Sequence, residues 1–76
     1  MINDEYAQEV ELACKELVQE GKNPVRAGEI AETAGIDDSS KLGMQLTFGV
    51  IEFDDIEYEV IRHEDESVSN EYRIRR

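Results

Sequence analysis

Apolar residues recur at three- and four-residue steps over the first part of the chain. They form one helical stripe made of Tyr6, Val10, Ala13, Cys14, Leu17 and Val18. The pattern predicts a helix from Asp4 to Gln19. Its remaining sides carry Glu5, Glu9, Glu11, Glu16 and Glu20. Gly21 is expected to end the helix, because glycine readily takes the left-handed conformation of a helix C-terminus.

A second helix is predicted after Pro24. Proline disfavours helix in its surroundings, so Val25 and Arg26 are expected to form a short extended segment before the helix begins near Ala27. The following residues Ile30, Ala34 and Ile36 would face the core.

Two residues in this stretch are typical of the first helix and turn of a helix-turn-helix. Ala31 is small enough for two helices to cross there at a steep angle, and Gly35 allows a sharp exit from the helix. An αα-hairpin in a small helical domain uses the same residue types, so it is an alternative interpretation.

The third helix is predicted from about Ser39 to Phe53. Its possible N-caps are Asp37, Asp38, Ser39 and Ser40. The positions expected to face the core are Leu42, Leu46, Gly49, Val50 and Phe53. A second apolar stripe, Met44, Phe48 and Ile51, lies on the other side. A helix that is apolar on two sides either ends earlier than Phe53 or contacts another surface with its second stripe.

After Asp54 and Asp55 the pattern changes from helical to alternating. Alternation over 56–61 and 71–75 predicts two strands, joined by a polar and mobile loop from His63 to Asn70. The chain, residues 1–76, is therefore predicted to be a single α+β domain. Its three helices are followed by a two-stranded antiparallel β-hairpin.

This order of elements resembles the winged helix-turn-helix domain over nearly the whole chain. EIAETAGID, from Glu29 to Asp37, is similar to the helix-turn segment of small archaeal and bacterial transcriptional regulators. YEVIRHED and NEYRIRR are similar to the two wing strands. The resemblance implies a transcriptional regulator that binds double-stranded DNA, with the third helix in the major groove and the hairpin loop on the backbone or minor groove. A dimer is expected, because one module gives a small interface.

The charge of the chain changes this picture. It has 19 acidic and 8 basic residues and a net charge of −11, whereas DNA-binding proteins are usually basic. In a cytoplasm at molar salt the electrostatic screening length falls to roughly 3 Å. Local contacts, and not the net charge, would then determine whether the protein binds DNA. The acid excess therefore indicates a salt-adapted, halophilic protein, or an acidic mesophilic protein whose charge favours solubility.

The candidate DNA contacts lie mainly at the start and outer side of the third helix. Gln45 suits an adenine edge, and Lys41 suits guanine or a phosphate. Ser39 and Ser40 suit phosphates. The serines can instead be helix caps, and an isolated Gln or Lys is usually a solvated surface residue.

Arginines outside this helix are further candidates for phosphate contacts: Arg26, Arg62, Arg73 and Arg75. Arg73 and Arg75 can instead pair across the strands with Glu57 or Glu59, and we favour this pairing. His63, a lone histidine at a strand end, is expected to have no special role.

Protein interaction is the alternative function. Met44, Phe48 and Ile51 would then form the contact surface for a protein partner or a second copy. The acidic loop residues Glu64, Asp65 and Glu66 favour this alternative, because they would repel phosphates. A regulatory domain that binds neither ligand nor nucleic acid is a third interpretation.

The residue types needed for catalysis are sparse. His63 and Cys14 are the single histidine and cysteine, and Cys14 is expected to be a small core residue. There is no glycine-rich phosphate loop and no zinc-type Cys and His spacing. We therefore expect no enzyme activity, cofactor, metal or small-molecule substrate. The acidic N-terminus and short apolar runs predict a cytoplasmic protein that does not associate with membranes.

Overall fold

The structure is a computed structural model that describes residues 4–65 and 67–75. It is α+β, with three helices and a small three-stranded antiparallel sheet. The elements are α1 (Asp4–Gln19), β1 (Val25–Arg26), α2 (Ala27–Ala34), α3 (Ser39–Thr47), β2 (Glu57–Ile61) and β3 (Glu71–Arg75). No helix among the described residues is long and apolar enough to cross a membrane.

Helix α1 has the predicted bounds and buries the predicted stripe. Val10, Cys14 and Leu17 are buried. Gly21, at φ 83°, ends the helix. The prediction that Glu11 lies on the outer side is wrong, because its side chain turns toward the chain before β2 and is only 6% exposed.

Helix α2 and its turn follow the predicted pattern. The Glu29 carboxylate accepts the Arg26 N–H at 3.0 Å and so caps the helix start. Ile30 and Ala31 are buried. Gly35 takes φ 74°, and the Ile36 N–H reaches the Ala31 carbonyl at 2.8 Å, which closes the helix and redirects the chain.

Helix α3 ends at Thr47, so the predicted end at Phe53 is wrong. Asp38 is the N-cap, since its Oδ1 accepts the Lys41 N–H at 2.9 Å. Gly49 takes φ 71° and leads the chain out of the helix.

Because α3 ends early, the residues that follow it differ from the prediction in which side chains are buried and which are exposed. Ile51, predicted on the exposed stripe, is 2% exposed and belongs to the core. Val50, predicted to face the core, is exposed. Phe53 is partly buried, with its ring centroid 5.4 Å from that of Tyr58.

The sheet has three antiparallel strands in the order β1-β3-β2, whereas two strands were predicted. The extra strand arises because Val25 and Arg26 pair with Tyr72 and Glu71. The Asn23 side chain extends this edge by donating to the Ile74 carbonyl at 2.9 Å and accepting the Ile74 N–H at 3.0 Å.

Buried residues of all three helices and the sheet form one hydrophobic cluster. Two tyrosines at its border anchor α3 to the sheet. The Tyr72 hydroxyl bonds to the Gly43 carbonyl at 3.0 Å, and the Tyr58 hydroxyl donates to the Leu46 carbonyl at 2.8 Å. Helix α3 is thereby held with one side in the core and the other facing outward.

Candidate functional site

An open groove of about 830 Å³ runs along the outward side of α3. One wall is the start of α2 and the opposite wall is the chain that enters β3. Helix α3 and its C-cap residue supply the floor with Ser39, Ser40, Gly43, Met44, Thr47 and Phe48. The groove therefore combines three segments that are distant in sequence.

Gly43 lets α3 approach the start of α2 closely. A Cβ at this position would lie 3.3 Å from the Ala27 Cβ and 3.7 Å from the Tyr72 hydroxyl. The sequence pattern indicated Ala31 as the small residue at the helix crossing, and Gly43 was not predicted to have such a role. A glycine inside a predicted helix is itself a signal of close packing.

Polar side chains fix the wall formed by the chain that enters β3 to the last turn of α3. Thr47 Oγ1 lies 2.9 Å from the Tyr72 hydroxyl and accepts from Asn70 Nδ2 at 3.3 Å. Hydrogen bonds between half-buried groups hold side chains in defined positions. The floor and this wall are consequently parts of one rigid arrangement. Sequence reasoning missed this network, because its partners are far apart along the chain.

Two large apolar side chains project from the floor. Met44 is 58% exposed and Phe48 is 73% exposed. They are four residues apart, which places them on one side of the helix end. The third member of the predicted partner stripe, Ile51, lies in the core and is not part of this surface.

Charge is distributed unevenly around the groove. The run from Ser39 to Ile51 contains no acidic residue and is the longest such run in this acidic chain. The α2 wall carries Glu29 and Glu32, and Arg26 is the cation among the described lining residues. The groove therefore has a neutral, partly apolar floor beside an acidic wall.

The predicted DNA-contact residues of α3 do not share one surface. Ser39 and Ser40 line the groove. Lys41 is exposed but is not among the lining residues. Gln45 is half-buried against α1, where its Oε1 accepts the Tyr6 hydroxyl proton at 3.0 Å. Burial, and then the charge of Asp38, raises the pKa of Tyr6, so this hydroxyl remains a donor at neutral pH.

The arginines of the sheet face carboxylates. Arg75 forms an ion pair with Glu59, as expected from the alternating pattern. Arg73 stands opposite Glu59 in the register, and Arg26 stands opposite Glu71. His63 Nε2 also lies 2.8 Å from Glu71 Oε1.

The charged side chains on the outer side of the sheet alternate between positive and negative. They do not form a band of positive charge. Arg62 is exposed just beyond β2. Cross-strand pairs of opposite charge stabilise a sheet by about 0.2–1 kcal/mol each, so the arrangement has a sufficient structural explanation.

The loop before β3 is anionic. Asp65 accepts the Ser67 N–H at 2.9 Å and the Ser67 hydroxyl at 2.8 Å. The backbone hydrogen bond from Ser67, and then its hydroxyl, lower the pKa of Asp65. Glu64 is exposed beside it, whereas the prediction for Glu66 lies outside the described residues.

Cys14 is not among the residues that line the groove and is fully buried. Burial, followed by the charge of Glu11, raises the pKa of its thiol to about 12. The thiol is thus protonated at neutral pH and is not a nucleophile. Within residues 4–65 and 67–75, no group of three His, Cys, Asp or Glu side chains could hold a metal ion.

Comparisons with protein-family models, curated proteins and solved structures give no match for this chain. Its function is therefore inferred from the groove and its surroundings.

Proposed function

We propose that this protein is a winged-helix-type module that binds another protein through the groove along α3. The order of three helices, a glycine turn between α2 and α3, and an antiparallel β2–β3 pair supports the winged-helix assignment. The exposure of Met44 and Phe48 in an open groove carries the functional proposal.

Such side chains suit a protein interface. Burying one large apolar side chain contributes about 1.5–3 kcal/mol, and aromatic residues and methionine are enriched at the centres of interfaces. Ser40, Thr47 and Asn70 line the same groove and carry polar groups. The arrangement has the apolar centre and polar rim of a binding site.

The distribution of cations gives less support to DNA binding. Affinity for duplex DNA depends strongly on the number of phosphates that lysine and arginine neutralise. Arg26, Arg73 and Arg75 stand opposite carboxylates, and Gln45 is hydrogen-bonded to Tyr6. Of the predicted DNA-contact set, Arg26, Ser39 and Ser40 line the groove, whereas Lys41, Gln45 and the three arginines of the hairpin region do not.

Replacing both apolar residues tests the proposal. The Met44→Ser/Phe48→Ser variant should lose most of the capture of a partner from a lysate of the encoding organism, or lose self-association. Leu12→Ser is the matched control, because Leu12 is 64% exposed on α1. All three proteins should have the same circular dichroism spectrum. Equal capture or assembly by the wild type and the double variant would refute the proposal.

DNA binding at molar salt is a second candidate function, as a dimeric transcriptional regulator. The acid-free run from Ser39 to Ile51 favours it, because it removes local repulsion from the side of α3 that faces outward. On this hypothesis, duplex DNA binds in molar KCl and Lys41→Ala and Gln45→Ala weaken the binding. Fluorescence anisotropy with labelled duplexes measures this, and absence of binding at every salt concentration would exclude it.

A further inference from the structure

We infer that the partner segment of the groove is basic and amphipathic, with apolar side chains on Met44 and Phe48 and lysines or arginines against the α2 wall. This inference rests on the proposed protein-binding function and specifies the chemistry of its partner.

The α2 wall carries two carboxylates in suitable positions. Glu29 and Glu32 are one helical turn apart, so both lie on the same side of α2, and both line the groove. One oxygen of Glu29 accepts the Arg26 N–H at 3.0 Å, which holds the carboxylate in place before a partner arrives. A positioned carboxylate loses less side-chain freedom on binding a cation.

Carboxylates outnumber cations around the groove, in which Arg26 is the cation among the described lining residues. The loop that contributes Ser69 and Asn70 also carries Glu64 and Asp65, and the net charge of the chain is −11. The α3 residues that line the floor are uncharged. A segment with apolar residues on one side and cations on its flanks matches this pattern of charge and hydrophobicity.

A second copy of the chain matches the groove less well. It would bring another net charge of −11 toward the acidic wall. Arg73 and Arg75 of such a copy already stand beside carboxylates of β2. Electrostatic complementarity therefore favours a different, basic chain.

Synthetic peptides test the inference with the 76-residue chain. The probe is a short amphipathic peptide of leucine and lysine. Its two comparisons replace every lysine by glutamate or every leucine by serine. Binding is measured by fluorescence anisotropy at the lowest KCl concentration that preserves the circular dichroism spectrum of the folded protein.

Two double variants with the same net charge separate local from general attraction. Glu29→Gln/Glu32→Gln changes the groove wall, whereas Glu9→Gln/Glu16→Gln changes exposed positions of α1. We expect the wall variant to bind the leucine and lysine peptide about fivefold more weakly, the sum of two modest ion pairs. The α1 variant should change its affinity by less than about twofold, because distant charges are screened.

The outcomes distinguish this inference from the function on which it rests. Met44→Ser/Phe48→Ser should weaken peptide binding at least about tenfold, and an unchanged affinity would overturn both. If that loss occurs but the two charge variants behave alike, or the glutamate peptide binds equally well, only the basic partner is refuted. Failure of the leucine and lysine peptide to bind also refutes it. Preferential binding of duplex DNA that requires the groove would replace both proposals with the nucleic-acid function.

Discussion

Glu11 is a buried carboxylate that joins α1 to the chain before β2. Its two oxygens accept the N–H groups of Asp54 at 3.3 Å and Asp55 at 2.7 Å. Lys15, one turn along α1, forms an ion pair of 2.7 Å with the Asp55 side chain. Both residues fix the position at which the chain enters the sheet.

Replacing Glu11 with glutamine should destabilise the protein by about 1.5–3 kcal/mol, because charge-assisted hydrogen bonds to two amides are weakened. Urea unfolding followed by circular dichroism measures the change. Glu9→Gln, with the same change of charge at an exposed site, should lie within about 0.5 kcal/mol of wild type. Equal stabilities of the two variants would show that the buried carboxylate is unimportant.

Cys14 should make stability depend on pH in the alkaline range. The unfolded thiol ionises near its ordinary pKa of 9.0, whereas the native thiol stays protonated up to a pKa of about 12. The contribution of Cys14 is therefore fully present below pH 9 and falls as the pH rises from about 9 toward about 12. The stability difference between wild type and Cys14→Ala should shrink as pH rises from about 8 to about 11. A constant difference in urea unfolding experiments would contradict this.

Residues whose roles depend on local pattern were predictable from the sequence. Cys14 lies in a helical apolar stripe, and Gly35 stands where a helix must end. Glu11 and Gln45 were not predictable in the same way, because their partners are about 40 positions away along the chain. Such partners are known only once the elements have packed.

Helix α3 is the element that decides both the fold and the proposed function. Its close approach to α2 depends on Gly43, and its end depends on Gly49. The tyrosine hydroxyls of the sheet then bond to its carbonyls and leave Met44 and Phe48 facing outward.

Two glycines of similar exposure should respond in opposite directions to alanine. Gly49→Ala should destabilise the protein by about 1–2 kcal/mol, because φ 71° is unfavourable for a residue with a Cβ. Gly28→Ala lies within α2 with open space around its Cβ, and should stabilise the protein by about 0.5–1 kcal/mol. Thermal unfolding measures both. A stabilising Gly49→Ala would contradict the helix end at Thr47.

Elements with a strong local period were predicted well, and those set by distant pairing were not. The bounds of α1 agree, and α2 begins at Ala27 as expected. The helical prediction continued to Phe53, because apolar residues persist after Gly49. The two residues Val25 and Arg26 carry no pattern that indicates pairing with β3. The strand β1 was therefore absent from the predicted sheet.

The whole molecule has a net charge of −11, which should make its stability sensitive to salt. Self-repulsion destabilises a compact acidic chain, and added ions screen it. We expect ordered structure to be lost on dialysis into dilute buffer and regained in molar KCl. Circular dichroism monitors the transition. Equal urea midpoints in dilute and molar salt would refute salt adaptation.

The groove itself could not be predicted from the sequence. Its walls come from α2, α3 and the chain before β3, and each segment has an ordinary local role. The sequence indicated Met44 and Phe48 as exposed apolar residues, and the structure places them on one floor. Ile51 was assigned to the same surface because the end of α3 was misplaced.

Mapping a bound segment tests the central claim most directly, that the groove along α3 is the binding surface. The isotope-labelled chain is titrated with the leucine and lysine peptide. Changes in its amide chemical shifts then show where the peptide binds. We expect shifts in residues 26–32, 43–48 and 69–72, with Glu9, Leu12 and Glu16 unchanged. Shifts confined to the exposed side of α1 or to the outer side of the sheet would contradict it.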